Sequence, residues 1–171
     1  PDILLKVGSV AAVVFVAVFG MIATDLLSYA KIRGNRELRE RLAQVEQITV
    51  SDLAQRIAKP TGDWTVLVLY STKSRETLTV FPQLVSLHKL YATRGVEFEV
   101  YSVDSYADLP DVPVFLAREQ AAFPPARIEP WRSGELSRSM TGVGIDVGKT
   151  WQIPLVAFLD RNGTVIWQAQ G

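Results

Sequence analysis

The stretch WTVLVLYSTKSRETLTVFP, residues 64–82, decides how this chain is read. Trp64 to Tyr70 is a short, apolar run rich in β-branched side chains, without the alternation of a half-exposed strand. It predicts a strand buried on both faces. The polar turn Ser71 to Glu76 then opens a helix carrying Leu78, Phe81, Leu84, Val85, Leu87 and Leu90, with Pro82 inside it expected to form a kink. Gly95 closes that helix, and Val96 to Val103 (VEFEVYSV) predicts a second strand. Strand, helix and strand in this order form a right-handed parallel crossover by default.

Working outward, Thr49 to Leu53 opens a short helix with Ser51 as the expected N-cap, ending at Pro60-Thr61-Gly62-Asp63. Downstream, Val112 to Phe123 reads as a helix bounded by prolines, and Arg127 to Trp131 as a short extended piece. Gly134 to Gly148 is glycine-rich and helical only in part. Leu155 to Leu159 (LVAFL) predicts a strand, Asp160-Arg161-Asn162-Gly163 a tight turn, and Thr164 to Ala169 its antiparallel partner. Parallel crossovers followed by a hairpin give an α/β domain with a mixed sheet flanked by helices. No repeat and no low-complexity segment interrupts it.

Composition closes several chemistries. The 171 residues contain no cysteine and one histidine, His88. Disulfides, thiolate nucleophiles, iron–sulfur clusters and cysteine-based zinc sites are therefore excluded. Eighteen basic and eighteen acidic residues balance, so no global field points to nucleic acid. No cofactor is expected.

The 48% hydrophobic share is uneven: Val7 to Thr24 carries no charge, between Lys6 and Asp25. At about 1.5 Å per residue this run spans roughly 27 Å, close to the hydrocarbon thickness of a bilayer. A retained transmembrane helix over residues 1–30 is the expectation; a signal-peptide core is disfavoured by the length of the run and the lack of a clean cleavage site. Gly8 and Ala12, then Gly20, Thr24 and Ser28, place small residues four apart, a spacing that admits a neighbouring helix but is also ordinary in membrane segments. Residues 31–47 read as a juxtamembrane helix or linker: Asn35 can cap a helix in which Leu38, Leu42 and Val45 recur, and Glu37 and Arg41 form an i,i+4 pair. Lys31 to Arg41 holds five basic and two acidic residues, suited to lipid headgroups, to an acidic neighbour or simply to solvent.

Three junctions together resemble the thioredoxin-like superfamily, and more narrowly the membrane-anchored TlpA-type domains. The run from Leu69 to Pro82 resembles that family's strand, Trp-Cys-x-x-Cys turn and proline-kinked helix; Val103-Asp104 resembles the end of its next strand; Ile153-Pro154, followed by LVAFLDRNGTVIW, resembles its cis-proline loop and hairpin. The resemblance covers residues 48–171. It places Ser74 and Thr77 at the two cysteine positions and Lys73 at the tryptophan position. Dithiol exchange needs a thiolate to attack and a thiol to resolve, so the reductase activity the resemblance implies does not carry over. A triad of Ser74 with His88 is also implausible, because the two lie roughly 20 Å apart along one helix. His88 is expected at a helix surface or boundary, and Asp104 as a strand cap or facing a ligand.

What remains is a docking surface without catalysis: Lys73, Arg75, Trp151, Ile153 and Pro154, with Trp131 and Phe123 as further aromatic anchors. The resembled fold continues with a helix where this sequence ends at Gly171. The expectation is therefore a longer natural chain, or a cover over LVAFL and VIW supplied by another protein or the juxtamembrane helix. Two functions are consistent with these features. One is a redox-inactive structural or assembly subunit of a membrane-protein complex (bioenergetic complexes by analogy), contacting other subunits and the lipid bilayer. The other is a free-standing binding protein for a peptide or small ligand. The basic residues after the apolar run argue for a cytoplasmic domain, the resemblance for an extracytoplasmic, periplasmic one, and the second is preferred.

Overall fold

A six-stranded mixed sheet organises the protein, seen in a computed structural model that describes residues 26–129, 133–147 and 152–171. The apolar run at 7–24, with Gly8, Ala12, Gly20 and Thr24, lies outside the described residues, as do Trp131 and Trp151. Among the described residues no helix is long and apolar enough to cross a membrane.

Residues 26–34 are helical, and helix α1 (Arg36–Leu42) follows Asn35, whose side chain accepts from the Leu38 amide as expected. Next come β1 (Glu46–Thr49), α2 (Val50–Ala58), β2 (Trp64–Tyr70), α3 (Arg75–Tyr91) and β3 (Val96–Ser102). After these follow α4 (Asp111–Arg118), β4 (Ala126–Glu129), α5 (Ser133–Gly142), β5 (Leu155–Asp160) and β6 (Val165–Gln170). The strands lie in the order β1-β4-β3-β2-β5-β6. The first four are mutually parallel, while β5 and β6 are antiparallel to their neighbours.

β2 sits centrally, and its alternating side chains serve two cores. Leu67 and Leu69 face Leu53 and Ile57 of α2 and Leu136 and Met140 of α5. Val66, Val68 and Tyr70 face Phe81 and Leu84 of α3 and Phe115 of α4. β2 is buried from Thr65 to Tyr70, as its unbroken apolar run predicts.

Three local readings are corrected and a fourth is borne out and extended. Strand β1 begins at Glu46, inside the segment expected to be linker; its only buried side chain is Ile48, so no periodicity announces it. Helix α2 is capped by Thr49 and not Ser51: Thr49 Oγ1 accepts from the Asp52 amide at 3.1 Å, and the Asp52 carboxylate returns a bond to the Thr49 amide. That reciprocal box satisfies two otherwise orphaned amide groups. Helix α4 stops at Arg118, because Gln120 adopts a positive φ of 54° and turns the chain. The extended piece after Pro125 is β4, a full member of the sheet.

At the α2 side of β3, Arg56 reaches Glu46 at 3.3 Å and Glu99 at 3.9 Å, and the Tyr101 hydroxyl donates to Glu99. Burial holds the Glu99 carboxyl above its usual range, against the lowering pull of Arg56; Glu97 and Glu46 push it further up. The folded state therefore keeps this proton longer than the unfolded chain does. Stability falls as pH rises from the ordinary glutamate range through the raised folded value, and stays lower above it. Glu99→Gln is expected to be more stable than the parent near neutral pH, the gain vanishing near about pH 4 in denaturant titrations.

The hairpin between β5 and β6 turns at Gly163, with φ 75°, and a Cβ there would stand 2.5 Å from the Ile57 carbonyl oxygen. Gly163→Ala is expected to lose more than about 1 kcal/mol by thermal unfolding. Gly134→Ala, with open space around its Cβ in α5, should be neutral or gain up to about 1 kcal/mol.

Candidate functional site

The turn after β2 meets the loop before β5 at the carboxyl edge of the sheet. Tyr70, the last residue of β2, is buried, and the chain must leave the core through polar residues whose groups need partners. Asp104, at the end of the neighbouring parallel strand β3 and only 4% exposed, supplies them. Its carboxylate accepts from the Ser71 hydroxyl, from the Thr72 amide at 3.0 and 3.1 Å, and from Ser102 Oγ at 2.9 Å. Asp104 is thus a cap that ties β2 to β3, the first of the two roles expected for it. Burial pushes the Tyr70 phenol well above its ordinary value, with the Asp104 charge adding to the effect.

Ser74 is the N-cap of α3: its Oγ accepts from the Thr77 amide at 3.1 Å. The same hydroxyl lies 2.9 Å from the Ile153 carbonyl and 3.0 Å from Glu76 Oε2, either of which can accept its hydrogen bond. Glu76 is held below the usual carboxylate range by its own backbone amide and then by Ser74. A carboxylate so disposed is a poor base for activating a serine hydroxyl. Thr77 is fully buried, with Oγ1 3.5 Å from the Ser71 amide.

The expected docking residues divide. Lys73 is exposed but paired, with Nζ 2.7 Å from Asp111 and 3.6 Å from Asp108; the hydrogen bond to Asp111 holds its ammonium above the ordinary lysine value. Arg75 is exposed. The Ile153–Pro154 bond is cis. Ile153 is half-buried with its carbonyl engaged by Ser74, and Pro154 is buried with its carbonyl accepting from the Gly171 amide at 2.9 Å. Phe123 is no surface anchor: it is 5% exposed, packed edge-on against Phe81 and His88 in the α3 core. His88 wedges between Phe98 and Phe123, and burial there pushes its imidazole below the usual value.

The partners of Lys73 were missed in the sequence, although Asp104, Asp108 and Asp111 form a visible acidic series. Also unforeseen is an apolar groove of about 340 Å³ beside Pro154, walled by Leu84, Leu87, Phe158 and Trp167. Through Leu87 and Phe158 it continues into a second groove of about 330 Å³ reaching Trp64 and Tyr91.

No family model and no curated protein matches this sequence. Solved structures do. A thioredoxin-family thiol:disulfide interchange protein from Chlorobium tepidum TLS is similar at 23% identity, over 72% of this chain and 80% of that one, with a TM-score of 0.51. An uncharacterized conserved protein from Geobacillus kaustophilus is similar at 16% identity, over 64% of this chain and 55% of that one, with a TM-score of 0.50. The chain has the mixed α/β thioredoxin-like fold, without a cysteine to carry out thiol exchange.

Asp104→Ala should cost about 2–4 kcal/mol in equilibrium unfolding, since it removes a charged acceptor from the buried Ser102 hydroxyl and from the half-buried Ser71 hydroxyl and Thr72 amide. Ser74→Ala, which removes one cap, should cost about 1 kcal/mol. Equal losses for the two would contradict the central place given to Asp104.

Proposed function

We propose that this chain is a redox-inactive thioredoxin-like protein held at a membrane, where it serves as a structural or assembly subunit of a membrane-protein complex. The observation that carries this reading is the fate of the two hydroxyls at the turn. Ser74 is fastened between the Thr77 amide and the Ile153 carbonyl, and Thr77 is buried. The place where a dithiol would react is used for holding the fold together, and no enzymatic role is assigned to it.

Docking has better material on the neighbouring face. Trp64 and Trp167 are 48% and 51% exposed, and Leu87 and Phe158 join them along the two apolar grooves. Contiguous apolar surface of this kind favours a protein partner. Membrane attachment is assigned to the uncharged run from Val7 to Thr24, and the domain to the extracytoplasmic side. Ligand capture by Lys73, Ser74 and the Pro154 loop is the less favoured function, because Asp111 and Ile153 already occupy the first two.

Affinity purification of the intact chain in a mild detergent should recover membrane proteins in fixed stoichiometry. Leu87→Ser with Trp167→Ser should reduce that recovery several-fold, while Lys73→Ala with Ser74→Ala should leave it unchanged. A monodisperse monomer without companions would refute the subunit role, and insulin reduction by the purified protein would refute redox inactivity.

A further inference from the structure

The five basic residues between Lys31 and Arg41 are not equivalent. Arg36 pairs with Glu40 at 2.7 Å and Arg41 pairs with Glu37, both one helical turn away. Among the described residues, the side chains of Lys31, Arg33 and Arg39 make no ion pair or hydrogen bond. The excess positive charge of the segment therefore resides on these three.

Two of them line the same cleft. The chain bends at Asn35, where the helix over 26–34 gives way to α1. Arg33 from before the bend and Arg39 from after it line one cleft of about 590 Å³. Its other walls include Tyr29, Tyr106, Ile32 and Leu42. The corner is seated on the domain by Ile32 and Val45, which are 4% and 6% exposed, and the Tyr29 ring lies 5.8 Å from that of Tyr106. The cleft is thus a shallow, open one built from three segments. Its lining is half polar, and combines two guanidinium side chains without ion-pair partners with aromatic and aliphatic residues.

Such groups match the planar, bidentate recognition of phosphate oxygens. The surroundings indicate the source of that phosphate. Leu26 and Leu27, on the same helix, are 64% and 70% exposed, and the uncharged run Val7 to Thr24 precedes them in the sequence, separated only by Asp25. A headgroup with acyl chains suits a cationic cleft carried by a segment that follows an apolar run in the chain; a free anion uses only the first half.

We infer that the cleft binds the phosphate headgroup of an anionic phospholipid, with Arg33 and Arg39 donating to its phosphate oxygens and the tyrosine rings packing on its glycerol. The supply of that lipid rests on the membrane-held reading above; the chemistry of the cleft does not.

The test uses the full chain in a neutral detergent, mixed with equal phosphatidylglycerol and phosphatidylcholine and examined by native mass spectrometry for retained lipid. Phosphatidylglycerol should be retained in preference. Arg33→Gln with Arg39→Gln should weaken its retention roughly 25-fold, at about a factor of five for each guanidinium. Arg36→Gln with Arg41→Gln removes the same formal charge from paired positions and should change retention by less than about twofold. Equal losses in the two double variants would overturn the assignment in favour of diffuse charge. So would retention that ignores headgroup charge, or complete displacement by millimolar inorganic phosphate. Unchanged thermal unfolding verifies that each variant is folded, as the exposure of these side chains predicts. Alkaline extraction of membranes separately reads the anchor: a chain released by carbonate refutes membrane insertion and leaves the cleft's preference to be judged on the lipid data.

Discussion

Burial of β2 on both faces is the constraint from which the remaining architecture follows. A strand whose Leu67 and Leu69 face one helical layer and whose Val66, Val68 and Tyr70 face the other cannot lie at an edge. Its backbone groups must be satisfied by strands on either side, and β3 and β5 supply them, one parallel and one antiparallel. The parallel neighbour requires a crossover, which is α3; the antiparallel neighbour requires only a hairpin with β6 to complete its own pairing. The sheet grows outward from β2 to its shorter edge strands β1 and β6.

The same constraint creates the polar knot at the carboxyl ends of β2 and β3. Tyr70 ends the strand inside the core, so the donors that follow it emerge at its half-buried rim. A carboxylate at Asp104, accepting from Ser71, Thr72 and Ser102, is the local solution. Around it the turn makes three long-range connections: Asp104 to β3, Lys73 to the start of α4, and Ser74 to the loop before β5. A hydroxyl at Ser74 suits this role because it caps a helix well and also donates to a carbonyl. The turn is a fastening point with little free chemistry left.

Parts of this were legible because they depend on neighbouring residues. The apolar run from Trp64 to Tyr70, the cap at Asn35, the αL glycine at Gly95 and the turn at Asp160 to Gly163 each declare themselves within a few positions. The capping box at Thr49 and Asp52 was equally local, but Ser51 offered a competing hydroxyl two residues on, and only the extended backbone of Thr49 decides between them. β1 was illegible for a different reason. With Ile48 its one buried side chain, it is a strand solely because β4 lies beside it. Phe123 shows the limit of composition: an aromatic residue near a proline-rich loop reads as a surface anchor, yet it fills a gap beside Phe81 and His88.

By itself the sequence determined what this protein lacks and the order in which its elements come. Absence of cysteine is a property of residue identity that no folding can reverse, and strand and helix periodicities are written over short windows. Only the tertiary structure decided which polar groups meet. Ser74 and Ile153 are 79 positions apart, Lys73 and Asp111 are 38 apart, and the pairing of Arg36 and Arg41 leaves Arg33 and Arg39 to share a cleft across a bend. The i,i+4 pairs of Arg36 and Arg41 are written in residue spacing; the other encounters depend on sheet order and on the seating of the helices, which spacing does not encode. A sequence can name every charge and hydroxyl present, but their satisfaction is a matter of where the chain returns in space.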